Sequence, residues 1–155
     1  MQMRDAAVKV FADMDAAILC AAVADFRPAE VAEQKIKREK TASARTEETS
    51  EAGSFSLRLV PNPDIAAELG RMKREGQVLV GFALETNDEL QNAQHKLEKK
   101  NLDFIVLNSL RNKGTCFQSD ENQISILSSD GQKDYGKKAK TEVARDIIDE
   151  LSLRL

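Results

Sequence analysis

The chain has a single histidine, His95, and two cysteines, Cys20 and Cys116. One histidine leaves little room for classical nucleophilic catalysis, which pairs a hydroxyl or thiol with an imidazole base. His95 also lies off the apolar stripe of its predicted helix, so it is expected to be an exposed bystander. The cysteines are far apart in sequence and form no zinc or redox spacing; both are expected to be reduced thiols. Glycine is sparse, with 7 residues, and neither a phosphate-cradling loop nor a Gly-x-Gly-x-x-Gly turn occurs. A nicotinamide or flavin oxidoreductase half-domain therefore lacks its usual fingerprint. The longest apolar run, Ala16 to Val23, is far short of the roughly 20 residues a membrane span needs. Met1-Gln2-Met3-Arg4-Asp5 has no charged-then-apolar signal layout. The expectation is a cytoplasmic protein with no membrane contact. A net charge of -3 gives no global pull toward nucleic acid, so any anion site must be a local cluster.

What is present fits one folded domain. The 155 residues are 41% hydrophobic and 32% charged, too apolar for disorder and about the right size for a single core. Met3, Ala6, Ala7, Val10, Phe11 and Met14 have helical spacing but no preceding cap, which suggests a chain continuing from something longer. Residues 16–23 read as a strand buried on both faces, with Cys20 inside it. Residues 27–54 have no periodicity and contain the basic cluster Lys35, Lys37, Arg38 and Lys40. A stretch that long is expected to be a mobile flap or lid. Phe55, Leu57 and Leu59 alternate with Ser56, Arg58 and Val60, as in a half-exposed strand whose edge pairs with its counterpart in a dimer. Asn62-Pro63-Asp64 reads as a helix start with Asn62 as the cap, burying Ile65, Leu69 and Met72 before Gly76. Residues 78–84 and 104–107 are two further buried strands. Between them Thr86 to Glu89 has capping-box spacing and opens a helix with Leu90, Ala93 and Leu97 on one face, ending near Asn101. Gln123 to Leu127, with Ser129-Asp130-Gly131 as a hairpin turn, precedes a last helix carrying Val143, Ile147 and Leu151. Alternating buried strands and amphipathic helices predict an α/β, Rossmann-like three-layer domain with a mostly parallel sheet and a C-terminal β-hairpin.

Ligands of open α/β sheets bind beyond the carboxyl ends of the strands. Those ends are Ala24 to Pro28 after the first strand, Phe82 to Thr86 after the second, and Asn108-Ser109 after the third, and they are expected to converge. Asp25 and Glu85 could hold a hydrated magnesium ion or sugar hydroxyls; the alternative is capping or a solvated rim. The cluster around Lys35 is either a solvated face or a phosphate clamp. Lys137, Lys138 and Lys140 oppose the dipole of the helix they precede, unless a bound phosphate at that N-terminus reverses the sign.

These strand-end segments resemble the synthetase half of the bacterial coenzyme A bifunctional flavoprotein family. The resemblance is carried by Ala21-Ala22-Val23-Ala24-Asp25-Phe26-Arg27-Pro28, Lys35-Ile36-Lys37 and Asn62-Pro63-Asp64-Ile65. It continues in Val80-Gly81-Phe82-Ala83-Leu84-Glu85-Thr86, Lys99-Lys100-Asn101-Leu102-Asp103 with Asn108, then Phe117, Asp120, Asn122 and Lys140. It implies a two-step ligation, in which CTP with Mg2+ activates 4′-phosphopantothenate as an acyl-nucleotide and cysteine then attacks. By this likeness Ala22, Asp25 and Phe26 line the nucleotide site, Asp25 near the metal, and Phe82 flanks the base. Lys35 is the catalytic residue of a flap over the intermediate, Lys37 binds substrate beside it, and Lys140 contacts phosphate. The resemblance further implies a homodimer and a fused or associated flavin-dependent decarboxylase. The family's first strand and its asparagine-bearing loop would precede Met1, so this chain alone is expected to be a poor catalyst. The competing expectation is a nucleotide-binding or dimerisation module of the same fold without catalysis.

Overall fold

The computed structural model describes residues 1–36, 56–85, 87–109 and 119–155. Two compact units are distinguished: residues 1–22 with 63–155, and residues 23–62. The first contains helices α1 (Gln2–Phe11), α2 (Ile65–Met72), α3 (Glu89–Lys99) and α4 (Lys140–Ser152). Its main sheet is built from β1 (Ala16–Leu19), β4 (Val78–Glu85), β5 (Phe104–Ser109), β7 (Ile124–Ser128) and β8 (Gly131–Asp134), in the order β1-β4-β5-β7-β8. β1, β4 and β5 run parallel, and the hairpin β7–β8 continues the sheet antiparallel. The short strands β6 (Glu121–Asn122) and β9 (Lys138–Ala139) pair beside it.

Period-two alternation splits the strands between two cores. Leu79, Ala83, Ile105 and Leu107 pack with Phe11, Leu69, Ala93 and Leu97 from α1, α2 and α3. Val78, Val80, Phe104, Val106, Ile124 and Ile126 pack with Val143, Ile147 and Leu151 of α4 on the other face. The result is the expected three-layer α/β arrangement, with the sheet between three helices and one. Asp103 fastens β5 to β4 at their amino ends. Its N–H donates to the Leu79 carbonyl, its carboxylate accepts from the Leu79 N–H at 2.6 Å, and Lys73 Nζ donates to both carboxylate oxygens at 2.9 Å.

Several expectations need correction. β1 ends at Leu19 and lies at the sheet edge, half-buried along its length, and Cys20 beyond it is exposed. A continuous apolar run cannot by itself distinguish an edge strand from a central one. Asp64, rather than Asn62, caps α2: its Oδ1 accepts from the Ala67 N–H at 3.0 Å. The Asn62 side chain instead donates to the Ala24 carbonyl. α2 ends at Met72, which is exposed, and Gly76 with φ 83° serves a later turn. α3 begins after Asp88, which has φ 45° and makes no side-chain cap hydrogen bond, and Leu90 is 48% exposed; Thr86, the first residue of the expected capping box, lies outside the described residues. Asn101, with φ 52°, does end this helix, and its amide donates to the Gly70 carbonyl.

In the second unit β2 (Phe26–Pro28) pairs antiparallel with β3 (Leu59–Pro61). Part of the segment expected as a connection is therefore a strand, and the strand expected at Phe55–Val60 starts later and has a partner within the chain. Phe55, and residues 37–54 of the expected flap, lie outside the described residues, as do Lys37, Cys116 and Phe117.

The cap at Asp64 makes a testable contribution. Burial raises this carboxyl, but the Ala67 N–H and Lys100, 3.1 Å away, outweigh it and hold it below its ordinary 3.8. A group depressed in the folded state stabilises fully above its unfolded value and loses that contribution as pH falls through the folded one. Asp64→Ala should cost about 1 kcal/mol at pH 7, and the difference should vanish in strong acid. Urea unfolding of both proteins at the two pH values checks this; a cost that persisted in acid would show that the carboxylate is not the cap.

Candidate functional site

Three parallel strands place their carboxyl ends along one edge of the sheet. Ala22 follows β1 there, Phe82 to Glu85 close β4, and Asn108 lies at the end of β5 in register with Leu84. The two faces of this edge differ. Glu85 shares the face of Leu79 and Ala83, where Lys96 of α3 meets its Oε1 at 2.5 Å and Asn92 Nδ2 lies 3.4 Å from Oε2. Its carboxylate ties β4 to α3.

On the opposite face the Phe82 ring is half-buried against the core under α4. Asn108 follows Phe104 and Val106 on that face, and its Oδ1 accepts from Asn122 Nδ2 at 2.8 Å. Asn122 belongs to β6, whose partner β9 leads directly into α4. The Lys140 N–H donates to the Asp120 carbonyl, and Glu142 Oε2 accepts from the Ala139 N–H at 3.2 Å. The amino end of α4, a centre of positive partial charge, thus stands on the same face as Phe82 and Asn108, with exposed Lys140 as its first residue. Of the three lysines in this turn, Lys137 pairs with Glu121 at 2.9 Å and Lys138 with Asp146 at 2.5 Å. Lys138 also stands 5.2 Å from the centre of the Tyr135 ring. These two are held by neighbours of opposite charge; Lys140 is the one that begins the helix.

Within the second unit, Asn62 organises the segment that bears Asp25. Its N–H donates to the Asp25 carbonyl at 2.7 Å and its side chain to the Ala24 carbonyl at 2.8 Å. Arg27 Nη1 donates to Asn62 Oδ1 at 3.1 Å and to the Pro61 carbonyl at 2.7 Å. The Asp25 backbone is therefore fixed while its side chain is exposed, as are Phe26 and Lys35. Among the described residues no group of three His, Cys, Asp or Glu side chains could hold a metal ion. A lone exposed carboxylate such as that of Asp25 is compatible with magnesium, which takes one or two carboxylates with phosphate and water oxygens as its other ligands.

A cavity of about 580 Å³ opens at the other edge, lined by Gln77, Val78, Asn101 and Asp103 among others. Its Lys73 and Asp103 already satisfy each other, and strand amino ends are not where such sheets take ligands. His95 is exposed, as expected. Asn62 and Asn122 were not singled out for their roles by sequence reasoning; their partners, a carbonyl and an amide distant in sequence, leave no local signal.

Comparison with known proteins extends this picture. The DNA/pantothenate metabolism flavoprotein C-terminal domain matches residues 1–154. A coenzyme A biosynthesis bifunctional protein CoaBC from Bacillus subtilis (strain 168) is 38% identical over 151 residues, covering 97% of this chain and 34% of that protein. The Vibrio vulnificus (strain CMCP6) protein of the same name is 37% identical over 150 residues, covering 97% and 35%. A cysteine/cysteine sulfinic acid decarboxylase from an unidentified prokaryote is 47% identical over 148 residues, covering 95% and 38%. The chain thus spans about a third of the length of these relatives. A crystal structure of the C-terminal domain of a CoaBC protein superimposes with a TM-score of 0.71 at 28% identity, covering 98% of this chain and 60% of that one. The match to residues 1–154 and the shared architecture agree with the strand-end motifs, and the chain belongs to the family of the DNA/pantothenate metabolism flavoprotein C-terminal domain.

Proposed function

We propose that this chain forms the ligase part of a phosphopantothenate–cysteine ligase of coenzyme A biosynthesis. The observation that carries the reading is the family match over residues 1–154, joined by CoaBC relatives aligned over 97% of the chain. CTP, with Mg2+, activates the carboxylate of 4′-phosphopantothenate as an acyl-nucleotide with loss of pyrophosphate, and the cysteine amine then displaces the nucleotide to form the amide. Such a reaction depends on positioning and charge neutralisation more than on a strong base. A sheet edge with an aromatic ring, amides and a helix amino end, but no histidine, suits that demand. Phe82 flanks the base, Lys140 and the first turn of α4 receive phosphate, and Ala22, Asp25 and Phe26 line the nucleotide. Lys35, with Lys37, closes as a flap over the intermediate. The protein works in the cytoplasm as a homodimer, within a longer polypeptide that has room for a flavin-dependent decarboxylase.

One observation favours a second reading. The 47%-identical relative is named for a decarboxylase activity alone, as a nucleotide-binding or dimerisation module without ligase chemistry would allow. The natural full-length polypeptide, given 4′-phosphopantothenate, cysteine, Mg2+ and either CTP or ATP, separates the two. Cysteine-dependent formation of phosphopantothenoylcysteine with pyrophosphate release is expected, faster with CTP. Calorimetric binding of CTP with no product would establish the second reading, and neither binding nor product would overturn both.

A further inference from the structure

We infer that Asn122 is a positioning residue: its amide bond to Asn108 sets where the first turn of α4, with Lys140, stands against the sheet edge that carries Phe82. Its kinetic consequence rests on the ligase reading; its structural consequence does not.

The body of α4 is seated on the sheet by Val143, Ile147 and Leu151; its first turn is delivered, among the described residues, by a short segment. β6 and β9 are two residues each, and so short a ladder is not self-supporting. The Lys137–Glu121 pair joins β9's approach to β6 across exposed side chains, where ion pairs contribute little. The Lys138–Asp146 pair joins β9 to α4 itself. The Lys140 N–H bond to the Asp120 carbonyl joins α4 to β6's approach. These interactions bind β6, β9 and α4 to one another and leave their position on the sheet to other contacts. The side chain of Asn122 supplies one. It is 8% exposed, and both ends of its amide are engaged, Nδ2 with Asn108 Oδ1 at 2.8 Å and Oδ1 with the Gln123 N–H at 2.9 Å. A buried amide engaged at both ends has one orientation, and leaving either end unmet costs more than the bond itself contributes. The bond therefore transmits the position of β5's carboxyl end to the start of α4. Displacement of a phosphate-binding helix end by a fraction of an ångström loosens the anion it holds, and in the ligase reading the amine attacks only after pyrophosphate has left.

The test is a double-mutant cycle in the natural full-length polypeptide. Asn122→Ala and Asn108→Ala should each raise KM for CTP on the order of tenfold, with kcat and the KM for cysteine little changed. The double variant should be no worse than Asn122→Ala alone, because the bond that Asn108→Ala removes is already lost there. Amide hydrogen exchange of residues 140–143 should accelerate in all three variants while that of β4 stays slow. Additive losses, or a greater loss from Asn108→Ala than from Asn122→Ala, would mean that Asn108 meets the ligand directly and would overturn the inference. Unchanged exchange at the start of α4 would overturn it as well. Should the wild type show no turnover, the ligase reading fails and the exchange measurement alone decides. If Asn122→Ala does not fold, Asn108→Ala, at a half-buried position, provides the same readouts.

Discussion

Replacing Lys35 by glutamine in the full-length polypeptide should slow ligation by about 10²–10³ while the melting temperature stays within about a degree. The motive is a Lys-x-Lys-Arg-x-Lys cluster downstream of the strand-end acid Asp25, in a stretch too long for a simple connection. A basic flap that closes on an acyl-nucleotide neutralises its charge and excludes water. Lys35 is exposed and contributes nothing to either core, so stability should be indifferent to it. Lys37→Gln should be milder. Under the solvated-face reading both variants retain near-normal rates. Steady-state rates decide: activity of Lys35→Gln within about threefold of wild type would sink the flap hypothesis.

The second large effect concerns stability. Gly70→Ala should destabilise by about 3 kcal/mol, lowering the melting temperature by roughly 6–12 °C in a chain of this size. Gly70 sits within α2, where alanine is intrinsically better than glycine by about 1 kcal/mol. Propensity alone therefore predicts a gain. The close packing of α2 on the end of α3 reverses the sign. A Cβ on Gly70 would run into the carbonyl of Lys100 and crowd Cβ of Asn101, and both belong to a helix end that Asn101 pins to the Gly70 carbonyl. Neither obstacle is the mobile tip of a side chain, so relief requires the two helices to separate. Thermal unfolding followed by circular dichroism measures it; a melting point at or above that of the wild type would refute the close approach.

The two cores were legible where the side-chain pattern was dense. Val78 to Ala83, Phe104 to Leu107 and the Val143–Ile147–Leu151 stripe are dense enough to follow, and the structure buries them, although Leu84 at the end of the expected buried strand is exposed. Burial was less legible at the ends of stripes: Leu90 and Met72 have the right spacing but fall past the point where a neighbour covers them. The cap at Asn62 misled because its side chain goes to the Ala24 carbonyl instead, a partner that no local reading can see, and Asp64 takes the role. The edge position of β1 and the two-residue pairing of β6 with β9 were invisible for the same reason, since two residues have no period. For the candidate site, strand ends located Phe82 and Asn108 correctly on one edge. The separation of Glu85 from them required only the parity of its position, a signal that was present and unused. The clamping roles of Asn62 and Asn122 required tertiary partners.

Asp103 acts at the amino ends of β4 and β5, but what it governs lies at the other end. By holding Leu79 N–H and C=O at once, it fixes the phase of β5 against β4. A strand counts its faces in twos, so the phase chosen at residue 103 decides, five positions on, that Asn108 faces α4 rather than α3. A slip of one residue would exchange Phe104 and Val106 with Ile105 and Leu107 between the cores, and would carry the Asn108 amide away from Asn122. The carboxylate is in this sense a ruler's zero mark, from which the far edge of the sheet is measured.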